Sequence, residues 1–149
     1  MKASVTFRNT MPLVGTNRAG HVTLFDTSAE FHGTGSAPSP MEMVLESLAA
    51  CSMMDVISIL KKKRREVVSL EAEVDADRAD EHPKVFTAIR VLYRLESPDC
   101  TPEDFERAVS LSMEKYCSVT AMLRMSGCRI EWKTELLREE EKDVKDQRD

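Results

Sequence analysis

Apolar and polar positions change their period several times along this 149-residue chain. Residues 3–7 are β-prone, and from His21 to Asp26 the residues Val22, Leu24 and Asp26 fall on one face against Thr23 and Phe25, the two-residue period of a strand. Pro12, Gly15 and Gly20 between them mark turns. Further on, Val68, Leu70, Ala72, Val74 and Ala76 alternate with Ser69, Glu71, Glu73, Asp75 and Asp77. Val85, Thr87, Ile89, Val91, Tyr93 and Leu95 then alternate with more polar neighbours. The charged connector from Arg78 to Pro83 predicts that these two strands form a hairpin. Near the end, Ile130, Trp132, Thr134 and Leu136 alternate with Arg129, Glu131, Lys133 and Glu135, a strand with one solvated face.

Between the strands the period lengthens. The stretch Gly33 to Pro38 is a loop by composition, and Ser39-Pro40-Met41-Glu42 opens a helix: Ser39 caps, Pro40 suits the first turn, and Glu42 completes a capping box. The helix is expected to run to about Lys63, roughly 25 residues and about 37 Å. Val44, Leu48 and Cys51 line one side, and Leu45, Ala49, Met53, Val56 and Leu60 another. A helix apolar nearly all round must be covered nearly all round, and one sheet from a chain this small covers one side only. That points to a partner subunit. Thr101-Pro102-Glu103-Asp104 opens a second helix, with Phe105, Ala108, Val109, Ser112, Met113 and Tyr116 as its buried stripe. At Cys117-Ser118-Val119 it should break and restart, Ser118 capping a new turn through Leu123. The order is strand-strand-helix-strand-strand-helix-strand, an α+β pattern with antiparallel sheets. It is expected to form one domain over residues 1–137, followed by a charged tail, 138–149, that is either a frayed helical extension or disordered.

Charge narrows the function. The formal net charge of −5 argues against a nucleic-acid binder held by phosphate contacts. The basic run Lys61 to Arg65 falls at the end of the long helix, where cations complement the helix dipole. The N-terminus lacks the apolar stretch of a signal peptide, and Val44 to Leu60 is short for a bilayer and contains Glu46 and Asp55. A cytoplasmic protein without a membrane role is therefore expected. Cysteines stand at 51, 100, 117 and 128, with no C-x-x-C pair and no histidine pair at ligand spacing, so no metal is expected and the thiols should be free unless redox-active.

A cysteine in an apolar helix is ordinarily packing material. Cys51, however, follows Ala49 and Ala50, whose small side chains leave room for a ligand. Cys117 sits at the helix break, where free N–H groups of the restarting turn can stabilise a thiolate. Cys100, Cys128, His21, His32 and His82 have no comparable setting.

The run Pro38-Ser39-Pro40-Met41-Glu42-Met43-Val44-Leu45-Glu46-Ser47-Leu48-Ala49-Ala50-Cys51 resembles the first cysteine helix of the OsmC/Ohr family. The segments Met54 to Lys62, Glu81 to Thr87 and Glu114-Lys115-Tyr116-Cys117-Ser118-Val119 resemble one branch of it, distinct from the best-characterised organic hydroperoxide resistance proteins. The resemblance spans about residues 15 to 136. It implies an intertwined homodimer with two central helices packed on antiparallel sheets. It also implies a thiol-dependent peroxidase: Cys51 attacks an organic hydroperoxide and becomes a sulfenic acid, Cys117 resolves it to a disulfide, and a dithiol, of lipoyl type or another, restores both thiols with no metal or flavin. Family peroxidases pair an arginine on the N-terminal strands with a glutamate just after the helix-starting proline. Arg18, in Thr16-Asn17-Arg18-Ala19-Gly20, matches the arginine's setting, although on its residues alone it is equally a solvated hairpin arginine. The glutamate departs from the pattern: Met41 follows Pro40, and Glu42 comes one residue later, about 100° round the helix. Glu46, one turn on, is the other carboxylate for that role, and Asp55, on the Cys51 face, would raise a nearby thiol's pKa. Two functions stay open: a peroxidase of oxidative-stress defence, or a non-catalytic small-ligand-binding or redox-sensing protein using the same dimer-interface pocket.

Overall fold

A computed structural model describes residues 1–138, which gather into two units, Met1–Glu46 and Ser47 onwards. The expectation for the charged tail falls almost wholly on residues 139–149, outside the described ones.

In the first unit, β1 (Ala3–Thr6), β2 (Leu13–Asn17) and β3 (Val22–Phe25) form one antiparallel sheet in that order. The middle strand is a correction, because Pro12 and Gly15 suggested a turn there. Gly15 instead lies mid-strand between Val5 and Thr23, and a Cβ on it would come within 2.9 Å of the Phe25 ring. The glycine is a site of close packing, not a bend. The turn proper is Asn17 to His21, where the Asn17 Oδ1 accepts the N–H groups of Ala19 and His21 and Gly20 takes φ +84°. Val14, Val22 and Leu24 share one face of this sheet and are exposed.

Asp26 does not continue the strand. It is buried, and its carboxylate accepts five hydrogen bonds from Thr27, Thr34 and Ser36, at 2.6–3.2 Å. The bond from the Thr34 hydroxyl leads in holding its pKa well below the usual carboxylate range. The loop wound round it carries one 3₁₀ turn (Ala29–Phe31) and ends at the long helix α1 (Pro40–Lys62). The capping box forms as expected: the Ser39 N–H donates to the Glu42 carboxylate at 2.7 Å, and the Glu42 N–H to the Ser39 hydroxyl at 3.3 Å.

In the second unit, Leu48, Ser52, Val56 and Leu60 of α1, spaced four apart, are fully buried. By length and composition alone this 23-residue helix, longer than its apolar stretch Val44 to Leu60, could cross a membrane. Its buried stripe instead packs within the protein. β4 (Ser69–Arg78), β5 (Phe86–Glu96) and β6 (Arg129–Leu137) form the second sheet in that order. β4 and β5 are the expected antiparallel hairpin, whereas β6 runs parallel to β5, so the sheet is mixed rather than antiparallel. A parallel return needs a crossover, and the helical segment between Pro102 and Met125 supplies it. Ile89, Val91, Tyr93 and Leu95 are buried, while Arg90 and Arg94 bridge carboxylates on the other face: Arg90 those of Asp75 and Asp77, Arg94 those of Glu73 and Glu135.

The crossover opens with α2 (Pro102–Leu111), capped by Thr101, whose hydroxyl accepts the Asp104 N–H. Lys63 and Arg65, from the basic run at the end of α1, both pair with Asp104. A π-helical turn (Ser112–Tyr116) follows, then α3 (Ser118–Met125). The break falls where the sequence predicts it, but Cys117, not Ser118, is the cap. The extra residue in the wider turn also changes the phase of the stripe. Phe105, Ala108, Val109, Ser112 and Met113 are buried as expected, whereas Tyr116 is 50% exposed and Cys117 takes the inside position.

Candidate functional site

Three elements of the second unit bring their polar and sulfur atoms together: the middle of α1, the buried face of β5, and the π-turn with the start of α3. Cys51 and Ser52 come from α1, Tyr93 from β5, and Ser112, Met113, Cys117 and Thr120 from the crossover. The Cys51 and Cys117 thiols are neighbours, near enough for Cys51 to bear on the ionisation of Cys117, although 66 positions separate them in the chain. Both are free thiols; Cys51 is half-buried and Cys117 is 3% exposed.

Behind them lies a polar cluster with no buried side-chain N or O left unpaired among the described residues. The Tyr93 hydroxyl donates to the Ser52 Oγ at 2.6 Å and lies 3.2 Å from the Met113 sulfur. Ser52 donates to the carbonyls of Leu48 and Ala49. The Ser112 hydroxyl reaches the Ser52 carbonyl at 3.2 Å and the Asp55 carboxylate at 2.9 Å, tying the crossover to α1. Burial pushes the Tyr93 hydroxyl up to about 12, so it serves as a neutral donor near neutral pH.

Cys117 is held by the π-turn and by α3. Its N–H donates to the Ser112 carbonyl at 2.8 Å, five residues back, and its Sγ accepts the Thr120 N–H at 3.4 Å, satisfying an N-terminal donor of α3. The expectation that the restarting turn stabilises a thiolate meets an opposing effect. Burial raises the Cys117 pKa, the Thr120 hydroxyl and N–H pull it back, the neighbouring Cys51 adds to the rise, and the net direction is upward. Cys117 is thus a protonated thiol at neutral pH, beside a more accessible partner. Asp55, on the Cys51 face, is engaged by Ser112.

The other candidate residues lie elsewhere along the chain. Arg18 is exposed in the β2–β3 turn, and Glu42 is engaged with Ser39, whose backbone N–H leads in lowering its pKa. Glu46 is exposed, with no ion pair among the described residues. Cys100 and Cys128 are buried, and burial raises the pKa of each. Sequence reasoning missed Ser52, Tyr93, Met113 and Thr120 as members of the site. One signal was available: Ser52 and Ser112 interrupt otherwise apolar stripes, and a buried tyrosine requires a partner for its hydroxyl.

A mixed-sheet α+β protein carrying two neighbouring thiols, one on a long helix and one at a helix break, is the class these features define. The family model for OsmC-like proteins matches residues 33–133, and the chain belongs to that family. It is 40% identical over 123 residues to protein YhfA of Escherichia coli K12, covering 83% of this chain and 89% of the relative. A solved structure of a hypothetical protein from Aquifex aeolicus is 30% identical, with TM-score 0.75 over 91% of this chain and 96% of that one. An organic hydroperoxide resistance protein OsmC from Legionella pneumophila shares the fold at 14% identity and TM-score 0.62, over 91% and 94% of the two chains.

Proposed function

We propose that this protein is a thiol-dependent peroxidase that reduces organic hydroperoxides in the cytoplasm, as a homodimer. The observation that carries the reading is the proximity of two free thiols of unequal exposure. The more accessible Cys51, as thiolate, attacks the distal peroxide oxygen. The O–O bond breaks, an S–O bond forms, and the alkoxide leaves as alcohol after taking a proton. Cys117 then attacks the sulfenic sulfur, an S–S bond replaces the S–O bond, and water departs. A dithiol, of lipoyl type or another, returns both cysteines to thiols by exchange. Cys117 is suited to the second role, because a protonated, buried thiol does not compete for peroxide yet adjoins the sulfur it must resolve. A groove of about 360 Å³ begins at Asp55, one helical turn from Cys51, and runs along α1 to Lys62 and Lys63; neither cysteine lines it, and Ile59, Leu111 and Tyr116 are its apolar side, suited to an alkyl group. By analogy with family peroxidases, Arg18 and one of Glu42 and Glu46 are the residues proposed to stand in for the arginine–glutamate pair. The Legionella protein's description as a hydroperoxide resistance protein supports the reading through the fold alone.

The upward shift of Cys117 favours one alternative: the pair as a slow sensor or a ligand site rather than a turnover centre. Treating the pure protein with cumene hydroperoxide and counting thiols separates the two. Loss of two thiols per chain, abolished in Cys51→Ser and faster than with hydrogen peroxide, supports the peroxidase. Retention of all four thiols at modest peroxide excess rejects it.

A further inference from the structure

Arg124 lies in the last turn of α3, yet its guanidinium reaches back past the start of that helix. Its Nη1 donates to the Met113 carbonyl at 3.0 Å, and Nη1 and Nη2 together grip the Glu114 carboxylate at 2.9 and 3.0 Å. Both partners belong to the π-turn that leads into Cys117. One side chain thereby joins the end of α3 to the turn before its beginning, and Cys117 is the residue enclosed.

We propose that Arg124 and Glu114 are positioning residues for Cys117, clamping the π-turn so that the Cys117 sulfur faces Cys51 and keeps the Thr120 N–H as its hydrogen-bond donor. Three observations converge on this. A π-turn is a costly local geometry that persists only where its surroundings hold it. A forked arginine–carboxylate pair that also takes a backbone carbonyl fixes orientation as well as distance. The held turn ends at a buried thiol that has a second thiol as its neighbour. The leading influences on the Cys117 thiol are burial, Thr120 and Cys51, and the role proposed for Arg124 is to hold the geometry in which they act.

The inference deepens the peroxidase reading and rests on it for its catalytic meaning, but its primary test needs no peroxide. In a Cys51→Ser background, the thiolate absorbance of Cys117 is titrated as the difference from a Cys51→Ser/Cys117→Ser protein. Adding Arg124→Ala should raise the midpoint by about half a pH unit to one unit, as the Thr120 N–H is lost to the thiolate. Arg124→Lys, which keeps the charge and one donor at a time, should fall between the two, and Glu114→Gln should shift the midpoint in the same direction by less. If Arg124→Ala does not fold, the lysine and glutamine variants decide the matter alone. Coincident midpoints overturn the proposal, as does full restoration by lysine, which would assign the effect to charge. With Cys51 present, a single turnover with cumene hydroperoxide should leave Arg124→Ala with a Cys51 sulfenic acid that dimedone traps, at an unchanged rate of peroxide consumption. Equal slowing of both steps would mark Arg124 as merely structural. A wild-type protein that consumes no peroxide would sink the peroxidase reading and leave the titration result standing.

Discussion

Ser52 and Tyr93 share one hydrogen bond, but they do not depend on it equally. Removing the tyrosine hydroxyl leaves Ser52 still donating to two backbone carbonyls, so Tyr93→Phe should cost about 1 kcal/mol. Removing the serine hydroxyl leaves a buried phenol facing only the Met113 sulfur, a weak acceptor, and Ser52→Ala should cost about 2 kcal/mol. Urea unfolding of the two variants checks the order; a costlier Tyr93→Phe would contradict it. Asp26 gives a pH dependence of definite sign. Its carboxyl pKa is lower in the folded chain than the unfolded value of about 3.9, so its contribution is complete above about pH 4 and fades as pH falls through the folded value. Asp26→Asn should therefore be less stable than wild type at pH 7, and the gap should narrow as the pH is lowered from about 5 to 2. A gap that stays constant over that range would remove the carboxylate from the explanation.

At the scale of elements, the loop wound on Asp26 and the middle strand β2 respond differently to one added methyl group. A Cβ on Gly33 would lie 1.9 Å from the Thr27 carbonyl oxygen, which is backbone, whereas one on Gly15 meets the movable edge of the Phe25 ring at 2.9 Å. Gly33→Ala should therefore lower the melting temperature markedly more than Gly15→Ala; equal losses would count against the loop geometry. The contrast between what was legible and what was not follows the range of the forces involved. The starts of α1 and α2 could be read because Ser39-Pro40-Met41-Glu42 and Thr101-Pro102 settle their own geometry within four residues. β2 could not, since Pro12 and Gly15 signal a turn locally and only pairing with β1 and β3 overrides them. The parallel seating of β6 is equally non-local. The helix break at Cys117 was visible in the sequence, but the extra residue in the turn was not, and that residue turns Tyr116 out and Cys117 in. The two cysteines stood out through their neighbours and through family resemblance, while the Ser52–Tyr93–Met113 cluster appeared only once β5 was laid across α1.

At the scale of the whole molecule, the question is what covers the apolar surface that one chain leaves open. On α1, the buried stripe takes one residue in four, while Met53, Ile57 and Ile59 are half-buried and Met54 is 70% exposed. A soluble helix of this composition is stable only with a cover on its other side. In the first unit, Val14, Val22 and Leu24 present a second uncovered apolar face. A second copy of the chain is the cover proposed, and the prediction is a dimer of twice the 16.8 kDa chain mass in sedimentation equilibrium at micromolar concentration. Met54→Asp would put a charge into that contact with no partner, and it should shift the distribution toward single chains and lower the melting temperature. Stability shared between subunits must also rise with protein concentration, so the wild-type melting temperature should climb on dilution's reverse while that of Met54→Asp stays flat. A wild-type protein that sediments as one chain, with a melting temperature indifferent to concentration, would mean that α1 is covered by something other than its own copy.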